Sequence, residues 1–351
     1  MEGNDEKYMR RCIDLASRAA GNTFPNPMVG AVIVHQDNII GEGYHLKAGQ
    51  PHAEVNAINS VTDRSKLASS VLYVSLEPCS HFGKTPPCAD LIISMGIPEV
   101  VVGATDTSAK VSGAGIKRLR DAGIKVRTGV LGEECRWLNR RFFSWHERSR
   151  PYIILKWASS ADGFIDINRS ESAREGPNWI SGKPERVLVH RWRAMEQAIL
   201  AGANTIRVDN PGLDVRYWTG DNPLKVILSR SGELGKYFSE NVTKSKAVAF
   251  TSFEEVKTGN AEKILLAESV PAARQISDNL HSRGIQSLLV EGGAMVLQHF
   301  INEGLWDEAR IFTGKMSFGE GVRAPVIEGV TRSVTRFTLS TLDVIVNESP
   351  A

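Results

Sequence analysis

The 351-residue chain lacks most of what would place it in a membrane, on a polyanion or outside the cell. No apolar run approaches the roughly 20 residues that a bilayer-spanning helix requires. Lys and Arg number 42 against 40 Asp and Glu, a formal charge of +2, and no long basic run appears. That balance argues against a nucleic-acid-binding surface. Cysteines are few: Cys12, Cys79, Cys88 and Cys135. The first residues, Met1 to Lys7, are polar and acidic, unlike a signal peptide. A cytoplasmic location is therefore expected, where thiols are ligands or packed side chains rather than disulfides. No Gly-x-Gly-x-x-Gly opens a helix after a strand, so a Rossmann site is not supported.

What is present suits a globular enzyme. A hydrophobic fraction of 42% and a charged fraction of 23% are ordinary for a folded chain. The length suggests two domains, and Arg148-Ser149-Arg150-Pro151 places the boundary near residue 147, giving domains 1–147 and 148–351. In the first half, helical spacing predicts a helix over 5–20, strands at 29–34, 39–43, 71–76, 100–102 and 124–126, and helices at 52–58, 89–95 and 116–122. Alternating strands and helices imply a layered α/β domain. In the second half, strands are predicted at 152–157, 198–201, 226–228, 247–250 and 287–290, with helices over 185–193 and 295–303. A closing hairpin with a loose tail is predicted over 333–351. Residues 231–262 carry no recognisable motif.

Two stretches carry chemistry. His52-Ala53-Glu54 opens a predicted helix, and Glu77-Pro78-Cys79 to Pro86-Pro87-Cys88 follows a predicted strand. His52, Cys79 and Cys88 suit a catalytic zinc with three protein ligands and one position left for water. Glu54 is then free to move protons, the division of labour in zinc deaminases. The spacing Cys-x8-Cys departs from the usual Cys-x2-Cys, and the insert holds His81, Lys84 and Thr85. His81 is a possible fourth ligand, a substrate contact or a loop cap; His45 is open between substrate contact and loop packing. A structural zinc is the weaker alternative, because it would leave Glu54 unexplained.

These motifs, with Pro25-Asn26-Pro27-Met28-Val29-Gly30 and Gly41-x-Gly43-x-His45, resemble the deaminase domain of the bifunctional riboflavin-biosynthesis deaminase/reductases. Lys156-Trp157-Ala158-Ser159-Ser160-Ala161-Asp162-Gly163 resembles the opening of that family's reductase domain. The resemblance implies a cytidine-deaminase-like three-layer domain followed by a dihydrofolate-reductase-like α/β domain. It implies one zinc per chain, NADPH, and a phosphoribosylated diaminopyrimidine as substrate. On the deaminase side it assigns Asn26, and Asn is suited to a base edge; Lys84 is a candidate phosphate or ribose contact.

On the reductase side the resemblance assigns NADPH contacts to Ala158, Trp179, Thr205, Asp209, Ser229, Gly293, Ala294, Met295, Val296, Leu297, Gln298 and His299. Substrate contacts fall on Pro177, Arg193, Leu213, Arg216 and Glu291. Arg193 and Arg216 suit a phosphate, since guanidinium binds it through two parallel bonds. Related chains often carry serine at Pro177. Lys156 and Asp162 are second choices for catalysis. Glycines in Gly202-Ala203-Asn204-Thr205 and Glu291-Gly292-Gly293-Ala294 let backbone amides approach a pyrophosphate. Small-molecule partners and a homo-oligomer, dimer or tetramer, are expected. The competing readings are a nucleic-acid adenosine or cytidine deaminase with an appended domain, and an inactive zinc-stabilised scaffold.

Overall fold

A computed structural model describes residues 2–80, 86–107, 112–169, 176, 178–229, 246–255, 258 and 260–351. It divides into two compact units, Met1–Ser149 and Arg150–Ala351.

The first unit runs α1 (Glu2–Ser17), β1 (Gly30–His35), β2 (Asn38–Tyr44), α2 (Ala53–Ser60), β3 (Val71–Leu76), α3 (Cys88–Ser94), β4 (Glu99–Ala104), α4 (Ala114–Asp121), β5 (Lys125–Thr128), α5 (Gly132–Leu138) and α6 (Arg140–Arg148). The sheet order is β2-β1-β3-β4-β5; β1 is antiparallel to both neighbours, and β3, β4 and β5 are parallel. Alternate strand residues feed two cores, as the two-residue period of a strand requires. Leu72, Val74, Val100 and Val102 meet α2, α3 and α4 through Ala57, Ile92 and Leu119. Tyr73 and Val101 point the other way, to Met9 and Cys12 of α1 and Phe142 and Phe143 of α6. The result is three layers, with Cys12 and Cys135 as packed, fully buried thiols.

Helix α6 continues through Arg148, so the chain leaves the first unit at Ser149, which adopts a left-handed φ of 53°. The boundary thus lies two residues beyond the sequence-based one. Helix α1 ends three residues before Ala20, in turns that lead to Gly21 at φ 86°.

The second unit comprises β6 (Tyr152–Ser159), β7 (Phe164–Asp166), α7 (Lys183–Met195), β8 (Ala198–Gly202), α8 (Ala203–Asp209), β9 (Leu224–Ser229), β10 (Ala247–Thr251), β11 (Glu262–Leu265), α9 (Ala272–Ser282), β12 (Ser287–Gly292), α10 (Ala294–Asn302), β13 (Glu308–Gly314), β14 (Val322–Arg323), β15 (Val330–Arg336) and β16 (Ser340–Val346). Its large sheet has the order β11-β10-β9-β8-β12-β6-β13-β16-β15. It is parallel from β11 to β13 and antiparallel beyond. The central strands are apolar on both faces, as burial between two helical layers demands. Ile153, Leu155, Leu288 and Val290 pack on α9 and α10, while Ile154 and Leu289 pack on Val189 and Trp192 of α7. The hairpin begins at Val330, and the tail is tied down: Ala351 donates to the Gly304 carbonyl, and Arg150 donates to Ala351. That corrects the loose tail predicted from its polar composition. Among the described residues no helix is long and apolar enough to cross a membrane.

Candidate active site

In the first unit, β3 delivers Glu77-Pro78-Cys79 from its C-terminal end, His52 is the N-cap of α2, and Cys88 is the first residue of α3. Both helices point their positive ends at the same spot, which favours thiolates there. Two glycines set the position of α2. A Cβ on Gly43 would lie 2.3 Å from the Ala57 amide nitrogen, and one on Gly41 2.6 Å from the Ala57 carbonyl oxygen. The helix therefore rests directly on the backbone of β2.

The ligand atoms of His52, Cys79 and Cys88 all lie within 4.8 Å of one another. His52 Nδ1 is 3.6 Å from Cys79 Sγ and 3.3 Å from Cys88 Sγ. Two ligands of one tetrahedral zinc stand about 3.5 Å apart, given Zn–S and Zn–N lengths of about 2.3 and 2.0 Å. The residues present fit the metal. The Cys88 amide also donates to Cys79 Sγ at 3.3 Å. Cys79 is lowered to about 4, chiefly by the hydrogen bond from the Cys88 thiol with a further bond from His52, while Cys88, its partner, is raised. Glu54 is only 3% exposed. Burial, with the Cys79 charge, raises it to about 7 against the pull of His52.

The other sequence-based candidates of this unit divide. His45 is buried, with Nδ1 3.2 Å from the Pro51 carbonyl and Nε2 3.1 Å from Asn26 Nδ2. Nδ1 donates to the carbonyl, so Nε2 accepts from the Asn26 amide. Both ring nitrogens are thus engaged within the fold. Burial lowers the His45 pKa, which keeps that acceptor available. Asn26 is left with its Oδ1 free of this bond and half exposed. His81 and Lys84 lie outside the described residues. One functional side chain was not anticipated. The buried Glu77 carboxylate accepts four backbone amides: Oε1 from Gly115 and Ile116, Oε2 from Asp106 and Gly113. It locks the start of α4 to the residue two before a zinc-type ligand. Its position inside Glu-Pro-Cys is the only hint the sequence contains.

In the second unit, β8 and β12 are adjacent and parallel, and each turns straight into a helix, α8 at Gly202 and α10 at Gly293. Neither helix has a side-chain cap. Thr205 Oγ1 accepts from the Gly293 amide at 3.0 Å and ties the two turns together. A Cβ on Gly202 would lie 2.9 Å from Val296 Cγ2, and one on Gly293 3.2 Å from Thr205 Oγ1. Bare backbone at the start of α10 is a cradle of the kind that suits a pyrophosphate. Ala158 is the last but one residue of β6, and Ser229 is buried at the end of β9. Trp179 is 56% exposed, with the Arg186 guanidinium over its ring. Asp209 takes a bond from Arg169 at 3.2 Å.

Two side chains of α10 are engaged elsewhere. The Leu297 side chain is in the core, and the Gln298 amide is spent on Asn302 and Val326. Met295, by contrast, is 82% exposed, and His299 Nε2 is buried without a hydrogen-bond partner. Pro177 lies outside the described residues.

Arg193 already has partners within the fold. Its Nε and Nη2 each bond Glu291 at 2.7 Å, and Nη1 bonds the Asp214 carbonyl at 3.0 Å. The guanidinium fork that was to hold a phosphate is filled by a carboxylate, and the pair is buried rather than on the surface. Burial would raise Glu291, but Arg193 and Lys156 outweigh it and hold the carboxyl at about 2. Lys156 is itself lowered by burial and by Arg193 against the attraction of Glu291. Leu213 is buried at φ 46°, a rare conformation for a branched residue. Asp162 accepts from Ser160, Phe318 and Gly319, joining two loops.

Residues 2–104 match the cytidine and deoxycytidylate deaminase zinc-binding region, and residues 151–348 match the RibD C-terminal domain. The riboflavin biosynthesis protein RibD of Aquifex aeolicus is 39% identical over 91% of this chain and 89% of its own length. That of Synechocystis is 38% identical over 93% and 88%. The crystal structure of a diaminohydroxyphosphoribosylaminopyrimidine deaminase/5-amino-6-(5-phosphoribosylamino)uracil reductase from Thermotoga maritima superposes with a TM-score of 0.87 at 37% identity, covering 98% of this chain and 99% of that one. Acinetobacter baumannii RibD gives 0.86 at 30% identity, with 99% of both chains covered. The chain belongs to the RibD family, the bifunctional deaminase/reductases of riboflavin biosynthesis.

Proposed function

We propose that residues 1–149 deaminate 2,5-diamino-6-(5-phosphoribosylamino)pyrimidin-4(3H)-one. Residues 150–351 then reduce the product's ribosyl chain to ribityl with NADPH, giving 5-amino-6-(5-phosphoribitylamino)uracil. The observation that carries this reading is the convergence of His52 Nδ1, Cys79 Sγ and Cys88 Sγ beside the buried carboxyl of Glu54. Those three atoms would hold one zinc per chain and leave a fourth position open. When bound, the zinc acidifies a water molecule and so supplies a nucleophile near neutral pH. Glu54 takes one proton of the attacking water at a carboxylate oxygen and delivers it to the ring nitrogen; it then takes the proton of the newly added hydroxyl and gives it to the amine, so that the C–N bond breaks as the C=O bond forms and ammonia leaves. Asn26, held by His45, turns its Oδ1 to the pyrimidine edge. His81 and Lys84 are assigned to substrate by the resemblance alone.

In the second unit NADPH, when bound, supplies the hydride that reduces C1′ of the ring-opened ribose. We assign it to Ala158, Trp179, Thr205, Asp209, Ser229, the first turn of α10 from Gly293 to Val296, and His299. Leu213, Arg216 and Glu291 are assigned to the substrate, and Pro177 on resemblance only. Arg193 holds Glu291 in place, leaving Arg216 as the phosphate contact.

The test mixes the protein with the diaminopyrimidine phosphate, with and without NADPH, and identifies products by mass. Ammonia release without NADPH and a gain of two hydrogens with it are the expected results. Reduction with no prior ammonia release would overturn the assignment of the first unit.

A further inference from the structure

We infer that His190 is a positioning residue for the reduction: it holds the backbone of Arg216 so that the guanidinium is presented to the substrate's phosphate. The inference rests on the reading of Arg216 given above and deepens it.

The segment from Asn210 to Tyr217 is not self-supporting. Leu213, a bulky residue, sits at φ 46°, and such a conformation persists only where surrounding contacts impose it. Helix α7 supplies two of those contacts. His190 and Arg193, three residues apart, share one face of the helix. Arg193 Nη1 bonds the Asp214 carbonyl at 3.0 Å, and His190 Nδ1 accepts from the Arg216 amide at 3.0 Å. A third tie, from the Val215 amide to Asn222 Oδ1 at 2.7 Å, closes the loop on itself. The Tyr217 ring meets the His190 ring edge-on, with centroids 4.8 Å apart.

The imidazole is suited to accept. It is 4% exposed. Burial, then the Arg193 and Arg216 charges, lower it to about 4, so Nδ1 keeps its lone pair near neutral pH. The Arg216 side chain itself is half exposed, and its Nε stands 3.2 Å from Asp214 Oδ1, an attraction that leaves the outer nitrogens for a ligand. Arg193 is less available for that task, because three of its five N–H donors are committed to Glu291 and the Asp214 carbonyl. An arginine on a loop with a strained residue binds a phosphate well only if its backbone is fixed beforehand.

The test compares His190→Asn with His190→Gln in the full chain, measuring reduction of the deaminated phosphate substrate at saturating NADPH. Asparagine places its Oδ1 near the position of Nδ1 and can accept from the Arg216 amide; glutamine carries its amide further out, near the position of Nε2. The expected result is a KM about tenfold higher in His190→Gln with kcat changed by less than about twofold, and His190→Asn within about threefold of the parent. NADPH affinity and ammonia release should stay at parent values in both, and the glutamine defect should vanish with a phosphate-free substrate. Equal KM in the two variants, or a fall in kcat at constant KM, would overturn the anchor. Arg216→Ala separates the two layers of the reading. A raised KM there, beside a normal His190→Gln, sinks the anchor alone; an unchanged KM sinks the phosphate role of Arg216 together with the anchor.

Discussion

Arg193 and Glu291 are joined by two hydrogen bonds of 2.7 Å although 98 residues separate them, and their side chains are only 10% and 8% exposed. A buried pair of this kind is weak evidence of net stabilisation, because desolvation offsets attraction, but removing one partner strands a charge. Arg193→Ala is therefore expected to destabilise the second unit by about 3–5 kcal/mol as well as impair reduction. Adding Glu291→Gln to it should restore much of the stability without restoring activity. Denaturant unfolding of the single and double variants checks this; a double variant no more stable than Arg193→Ala contradicts it.

The same pair sets an acid limit. Glu291 is held at about 2 in the fold, well below the ordinary glutamate value of 4.5. A carboxyl whose folded pKa is depressed contributes stability that is complete above its unfolded pKa and is lost as pH falls toward the folded one. The stability of the second unit should accordingly fall between pH 4.5 and 2, by on the order of 3 kcal/mol from this group. Unfolding free energies measured across that range in the parent and in the Arg193→Met, Glu291→Gln double variant isolate the contribution. An equal slope in both would remove Glu291 from the account.

At the zinc-type cluster the two roles separate by substitution. Glu54→Gln keeps the shape and removes the titrating oxygen, so ammonia release should drop by about a hundredfold to ten-thousandfold while zinc content and reduction of pre-deaminated substrate persist. Cys88→Ser should lose the metal. Elemental analysis alongside the ammonia assay distinguishes them, and full zinc retention in Cys88→Ser would take that thiol out of the ligand set.

Glu77→Gln tests the anchor beneath Cys79. Each carboxylate oxygen accepts two backbone amides, so an NH2 group at either position faces two donors. Leaving two amides unpaired costs about 1–3 kcal/mol each. The expected outcome is a lower Tm for the first unit and weaker zinc binding in a chelator competition. A parent-like Tm would mean that water replaces the carboxylate without penalty.

Much of the site was legible because its chemistry is written in residue types. One imidazole, two thiols and an unused carboxyl at His52, Cys79, Cys88 and Glu54 specify zinc-type ligands whatever the fold around them, and the apolar runs at 71–76, 198–201 and 287–290 read directly as buried strands. The glycines at 41 and 43 were visible only as a pattern; their reason, a helix lying on strand backbone, appears with α2 in place. Glu77 gave no signal beyond its place in Glu-Pro-Cys, since its four amide donors lie 29 to 39 residues away. Arg193 shows the same limit: a guanidinium fits phosphate and carboxylate equally well, and only the tertiary fold, which brings Glu291 beside α7, shows the carboxylate that it meets. The sequence by itself determined the zinc-type cluster, the carboxyl beside it and the layered architecture, because residue chemistry and hydrophobic period are local properties. Tertiary structure alone decided which charges pair, which helix residues are spent in the core, and that His190 meets the amide of Arg216, because those depend on contacts between segments far apart along the chain.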